Sequence, residues 1–384
     1  APFEAQQLWL VADTYGLEPG MHELTLYIGT LEQKNTIREI PVRIEVLPVT
    51  LPIGIYAQIN WTGIDRDQSS DQQLKDMLEH GITVGYGPPL PAIPLDADGN
   101  VSGAVDWSRV DEGLARVPDY FQCLWSGPPA MTWPKDTSAP AEDSPQYQKG
   151  YAAALAEMVT HLAARDWGYD RWAFYPMDEP WLTGLGNIPA LRAFCEKVKH
   201  ADPQARIYAD PTGLLRVEYV SEFKDLIDVW QPEMNMLKRD AGLRQWFQEN
   251  ARVFWAYEAT DPGKELLPLG YYRLYPWTAW LMGTVGAGFW CYKDFDTWWP
   301  LTGTSWSVIY PNGDHVVPSR RWEALRDGQE DYRLFYALRD AIAKAGKGTP
   351  QAQAAQQQLD QEIEDVVGWQ ARSIDEITRQ TRDY

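Results

Sequence analysis

From residue 53 onward the chain alternates short apolar runs with longer stretches of helical period, and this restricts the possible folds more than any other feature. The runs are 53–57, 82–86, 121–125, 172–176, 206–210, 228–231, 253–257 and 286–292. Between them lie helical patterns at Leu74/Met77/Leu78, 151–164, 188–198, 217–227, 237–251 and 272–282, with a closing helix expected over 320–343. Several runs are apolar at consecutive positions, as strands of a parallel sheet covered by helices on both faces must be. Eight such units in roughly 290 residues match an α/β fold of the (β/α)8 TIM barrel type. A doubly wound open sheet is the rival; no GxGxxG follows the first run, and near-regular units fit closure better.

The two ends of the chain read differently. Residues 1–48 carry period-two alternation at Glu23–Ile28 and again at Val42–Val46, with a turn signal at Pro19-Gly20. A few short strands bury no core alone, so this segment is either the tail of a β-sandwich or a flap on the next domain. Leu47-Pro48-Val49-Thr50-Leu51-Pro52 reads as the junction. Residues 351–384 are polar and helix-prone, with Leu359, Ile363, Val366 and Val367 on one face. The expected organisation is thus a short all-β segment (partial β-sandwich or β-flap) at 1–50, a catalytic barrel at 51–345 and C-terminal helices at 346–384. The start, Ala1-Pro2-Phe3-Glu4, lacks the basic and apolar regions of a signal peptide. The composition fits an extracellular or periplasmic setting.

Charge and composition remove several function classes. The 54 acidic residues outnumber the 34 basic ones, giving a formal net charge of −20. Nucleic-acid binding needs clustered Lys and Arg and is not expected. No run approaches the ~18 apolar residues of a membrane span. The 3 Cys form no CxxC, and the 5 His no HxH or HExxH, so neither a disulfide framework nor a His-built metal centre is expected. No EF-hand-like loop occurs. No metal and no cofactor is predicted, and oligomeric state is not legible.

In such a barrel the chemistry belongs at the carboxyl ends of the strands. The fourth run ends Tyr175-Pro176-Met177-Asp178-Glu179-Pro180-Trp181. An Asp-Glu pair at random is most often solvated loop; at this strand end, between prolines and beside a Trp, it is a candidate catalytic pair. Pro180 biases Glu179 toward extended backbone, and neighbours in a regular strand face opposite ways, so the chain must twist or break here for both to reach one pocket. Two carboxylates are the basic equipment for glycosidic cleavage, one a proton donor whose pKa an apolar surround raises. Aromatics crowd the other strand ends: Trp61, Trp125, Tyr257, Trp290 and Tyr292, with Trp298, Trp299 and Trp306 in the loop after the last. Sugar rings stack on such faces, and Trp181 joins the same candidate set. Glu258, next to Tyr257, opens a second mechanism with Glu179 as acid/base and Glu258 as covalent nucleophile.

Two stretches, with Gly288-Phe289-Trp290-Cys291-Tyr292 between them, carry a resemblance. They are Phe174-Tyr175-Pro176-Met177-Asp178-Glu179-Pro180 and the helix Pro318-Ser319-Arg320-Arg321-Trp322-Glu323-Ala324-Leu325-Arg326-Asp327-Gly328-Gln329-Glu330-Asp331-Tyr332. Over roughly residues 50–345 the chain resembles glycoside hydrolase family 123, the β-N-acetylgalactosaminidases, and the bacterial proteins sharing that catalytic domain. The resemblance implies a β-sandwich ahead of the barrel, of which residues 1–48 would be the end. It also implies substrate-assisted, retaining hydrolysis, in which the sugar's 2-acetamido carbonyl attacks its own anomeric carbon and an oxazolinium-like intermediate is opened by water. By position, Glu179 matches the acid/base and Asp178 the residue that orients the acetamido group. A Tyr bonds the acetamido oxygen in such enzymes, with Tyr257 and Tyr292 the candidates here. The Arg320–Tyr332 motif reads as scaffold. The expected partner is a glycan ending in β-linked N-acetylhexosamine. A double-displacement β-glycosidase using Glu258 and a non-catalytic glycan-binding barrel stay open beside it.

Overall fold

The computed structural model describes residues 9–14, 16–29, 36–135, 138–259, 266–293, 306–312, 315–346 and 348–368. The chain divides into two compact units, Ala1–Pro52 and Ile53–Tyr384. The first holds one antiparallel hairpin, β1 (Gly20–Gly29) with β2 (Thr36–Val46), in register from Gly20 opposite Val46 to Ile28 opposite Arg38. Met21, Leu24 and Tyr27 of β1 are exposed, consistent with two strands being too few to enclose a core.

The second unit is α/β. The strands of its two larger sheets are β3 (Ala57–Gly63), β4 (Val84–Tyr86), β5 (Gln122–Trp125), β6 (Trp172–Phe174), β7 (Tyr208–Ala209), β8 (Val229–Trp230), β9 (Val253–Phe254), β10 (Ala256–Glu258) and β11 (Gly286–Phe289). Their pairings are parallel, in the orders β10-β11-β3-β4-β5-β6 and β9-β8-β7. A parallel bridge, Phe174 to Ile207, links the two sheets on one side. On the other, only Trp255 separates β9 from β10, and its N–H donates to the Trp230 carbonyl at 2.8 Å. Period-two alternation sends Ala57, Ile59, Trp61, Val84, Leu124, Ala173, Tyr175, Tyr208, Val229, Trp255 and Tyr257 into one buried cluster.

The first strand starts where the apolar run 53–57 was expected to end. Buried Gln58 and Asn60 alternate with Ile59 and Trp61 in β3, so this strand lacks a continuous apolar run. Against β4 the register slips from Ile59–Val84 to Gly63–Tyr86. The slip contains Trp61, at φ 51, a strained conformation for a bulky residue.

Helices α1 (Asp71–Glu79), α2 (Ser108–Leu114), α3 (Pro145–Ala163), α4 (Ile188–Ala201), α5 (Val217–Ser221), α6 (Met234–Arg239), α7 (Ala241–Asn250), α8 (Leu274–Leu281), α9 (Arg320–Lys344) and α10 (Pro350–Val367) intervene or follow. Their starts are legible in their caps. Ser70 makes a capping box with Gln73, Ser144 and Ser319 cap α3 and α9, and Thr349 caps α10. The segment 237–251, expected as one helix, is two, because Asp240 ends α6 and caps α7 through Leu243 N.

The 318–332 motif ties α9 to the sheet-bearing unit. Asp331 takes a bidentate pair from Arg273 at 2.8 and 3.1 Å and the Trp277 indole N–H at 2.8 Å. Gln329 donates to the His80 carbonyl, Tyr332 to that of Thr284, and Trp322 to Asp76. In α10, Leu359, Ile363 and Val367 are buried, whereas Val366 is 41% exposed. No helix among the described residues is long and apolar enough to cross a membrane.

Candidate active site

The cavity of interest lies at the carboxyl ends of the parallel strands, where successive strands deliver one or two side chains each. It measures about 350 Å³ and is lined by Trp61, Tyr86, Asp178, Glu179, Asp210, Tyr257, Ala259 and Trp290. That volume falls among small-molecule pockets, which run from about 300 to 1,000 Å³. A second hollow of about 700 Å³ opens at the other end of the strands, between Ala57, Val253, Trp255, Arg206 and Asp228. Its Asp228 is spent on Lys199 and Arg252, both at 2.7 Å, so it offers no free carboxylate pair.

Asp178 and Glu179 share the first cavity because the backbone breaks its extended course. Glu179 has φ 41, in the left-handed region, rather than the extended conformation expected before Pro180. The Glu179 N–H is anchored on Asp210 Oδ1 at 3.2 Å. This turn undoes the alternation of a regular strand and lets neighbouring side chains face one space.

Below them lies a compact hydrogen-bond network. Tyr175 Oη sits 2.5 Å from Asp178 Oδ1 and 2.6 Å from Asp210 Oδ2. Tyr257 Oη donates to Glu179 Oε1. Burial pushes the Glu179 carboxyl above its ordinary pKa, with the Asp178 charge adding to the rise and the Tyr257 phenol opposing it. Asp210 is 1% exposed, whereas Asp178 stands exposed at the rim. Burial drives the Asp210 pKa well up, with the Asp178 charge adding to it against the Tyr175 hydrogen bond.

Aromatic rings form the walls. Tyr86 stacks parallel to Tyr175 with centroids 6.2 Å apart. Trp61 meets Tyr257 edge-on at 5.6 Å and Trp290 at 6.2 Å. A lining of three carboxyls and four aromatic rings, with no cation among the described residues, can accept hydroxyl and amide protons, stack a pyranose face and transfer one proton. Among the described residues no cluster of His, Cys, Asp and Glu is suited to a metal ion.

Of the sequence candidates, Asp178, Glu179, Trp61, Tyr257 and Trp290 line this cavity. Four do not. Trp125 is buried and donates its indole N–H to the Pro88 carbonyl at 2.7 Å, its ring seated against Gly87. Trp181 is 0% exposed and packs edge-on against Phe223, with Trp230 alongside. Tyr292 points away from the cavity, donating to Asp76 Oδ2 at 2.9 Å and packing against Trp322. Glu258 follows inward-facing Tyr257 and so turns outward, accepting from Asn235 Nδ2 at 3.1 Å. There it stands beside Glu233, whose pKa burial and the Glu258 charge raise to about 7. Trp298 and Trp299 lie outside the described residues, and Trp306 donates to the Ala259 carbonyl at 3.3 Å.

The sequence reading missed Tyr86, Tyr175 and Asp210. Asp210 had a usable signal. It closes the fifth apolar run immediately before Pro211, the kind of strand-end position that drew attention to Asp178.

No protein-family profile matches the sequence, and no curated protein matches it either. Solved structures do. A family 123 glycoside hydrolase from Clostridium perfringens, studied for glycolipid glycan hydrolysis, aligns over 95% of this chain and 77% of its own, at 12% identity and TM-score 0.55. A β-D-glucuronidase from Dictyoglomus thermophilum aligns over 81% of this chain and 57% of its own, at 12% identity and TM-score 0.41. A Thermomonospora fusca β-mannanase aligns over 71% and 90%, at 12% identity and TM-score 0.39. At such identity the first likeness establishes a shared, TIM-barrel-like fold, in line with the parallel sheet described above.

Proposed function

We propose that the chain is a retaining exo-glycoside hydrolase that removes terminal β-linked N-acetylhexosamine, N-acetylgalactosamine foremost, by substrate-assisted catalysis. The observation that carries this reading is the placement of two sequence-adjacent carboxyls, Asp178 and Glu179, in one wall of an aromatic-lined cavity. The fold shared with a family 123 enzyme and the strand-end and helix motifs support it. On this reading the two parallel sheets and their links form one closed (β/α)8 barrel, and the protein acts on glycans outside the cytoplasm.

The chemistry follows from the two environments. Glu179, whose acid form burial favours, gives its proton to the glycosidic oxygen as the bond to the anomeric carbon breaks. The substrate's acetamido carbonyl oxygen forms the new bond to that carbon from the opposite face, an intramolecular attack of high effective molarity. Asp178 accepts the acetamido N–H and stabilises the positive charge of the oxazolinium ring. Water then opens the ring at the anomeric carbon and gives its proton to the Glu179 carboxylate. Two inversions leave the configuration retained. Tyr257 occupies Glu179 Oε1, leaving Oε2 for the proton transfers. No covalent carboxylate is needed, and the outward turn of Glu258 speaks against the double-displacement alternative.

A thiazoline analogue of the acetamido sugar tests the route. It is expected to inhibit strongly, with Asp178→Ala losing turnover and Glu258→Ala largely keeping it. A non-binding thiazoline together with an inactive Glu258→Ala overturns the proposal in favour of a covalent nucleophile.

A further inference from the structure

The cavity holds a third carboxyl, Asp210, for which the mechanism above has no use. Its geometry poses a question of proton count. Tyr175 Oη lies 2.5 Å from one carboxyl and 2.6 Å from the other, both hydrogen-bond distances. A phenol has one proton and can donate to only one of them. The second contact therefore needs a proton supplied by a carboxylic acid.

Burial decides which. Asp178 is exposed at the rim, where water stabilises an anion, whereas Asp210 is 1% exposed. The titratable groups around Asp210 are Tyr86 on β4, Tyr175, Asp178 and Glu179 at the end of β6, Tyr208 on β7 and Tyr257 on β10. Each is neutral or an acid, and none brings a positive charge that would hold Asp210 ionised.

We propose that Asp210 is a protonated positioning residue of the site: its Oδ2–H donates to Tyr175 Oη, Tyr175 donates to Asp178 Oδ1, and Asp210 Oδ1 accepts the Glu179 N–H. One buried side chain thereby fixes both members of the pair. Through Tyr175 it aims Asp178, and through the amide it holds Glu179 in its left-handed turn. The role of Asp210 in turnover rests on the proposed function, while its protonation does not.

The test uses three variants and an aryl N-acetyl-β-galactosaminide as substrate. Asp210→Ala is expected to lower kcat about 10²-fold, the scale of a small misplacement of reacting groups. Asp210→Asn, which keeps one acceptor and one donor, is expected to recover at least about tenfold of that loss, with both limbs of its pH profile at wild-type positions. Tyr175→Phe, which cuts the link from Asp210 to Asp178, is expected to lower kcat on the same scale as Asp210→Ala. Asp210→Asn as poor as Asp210→Ala, limbs of Asp210→Asn shifted toward acid by removal of a charge, or a fully active Tyr175→Phe each overturns the proposal. Should the wild type turn over no acetamido sugar, the proposed function fails but the protonation of Asp210 is still read from thermal unfolding. Wild-type stability is then expected to fall, relative to Asp210→Asn, as pH rises above the ordinary carboxylate range, and parallel curves contradict it.

Discussion

At the residue scale, environment separates two adjacent acids. Asp178 sits at the wet rim, whereas Glu179 is half-buried among rings, and burial raises its pKa. Glu179→Gln is therefore expected to cut kcat by about 10²–10⁴ on substrates with poor leaving groups and by less on activated aryl glycosides. Equal losses on both would remove Glu179 from the acid role. Tyr257 offers a finer check. Its phenol stabilises the Glu179 carboxylate and lowers that pKa against the effect of burial. Tyr257→Phe is expected to move the alkaline limb of kcat/KM to higher pH, because the acid form then persists further; a limb moving the other way refutes the assignment. The candidates that failed at this scale failed for want of direction. Trp125, Trp181 and Tyr292 have the right composition and strand-end positions, but sequence does not say which way an indole or phenol turns, and all three are packed in the core. Glu258 was decidable, since a strand that turns Tyr257 inward turns its neighbour outward.

At the element scale the apolar runs located the strands because a strand buried on both faces has to be apolar throughout. That rule fails where the interior is polar. Gln58 and Asn60 are buried in β3, and the first strand was displaced accordingly. Residues 237–251 carry the pattern of one continuous helix because their apolar spacing survives the break at Asp240. Gly288 is closely packed within the sheet. A Cβ on Gly288 would come within 2.5 Å of the Trp61 ring, 2.7 Å of Gln231 and 2.8 Å of Ile59. Gly288→Ala is expected to cost about 1–3 kcal/mol by overpacking, read as a lowered denaturation midpoint at unchanged m-value. It is also expected to weaken binding at the neighbouring Trp61 wall. A neutral Gly288→Ala would mean that the strands part more easily than the contacts imply.

At the scale of the whole molecule, the formal charge of −20 sets a background of self-repulsion. Added salt at about 0.5 M, where the Debye length falls well under 10 Å, is expected to raise the unfolding temperature; a fall would mean that local ion pairs such as Asp331 with Arg273 outweigh it. Fold class and the carboxylate pair were legible because both are written in contiguous residues. The cavity was not, because its walls come from β3, β4, β6, β7, β10 and β11 and the residues that follow them, which only the folded chain brings together. Whether the substrate's own acetamido group is the nucleophile is read from a panel of nitrophenyl β-glycosides: N-acetylgalactosaminide, N-acetylglucosaminide, galactoside and glucoside. Turnover of an acetamido sugar is expected, with galacto configuration preferred, and none of its 2-hydroxy counterpart, since the nucleophile is then missing from the substrate. Equal or faster hydrolysis of the plain galactoside or glucoside would contradict it.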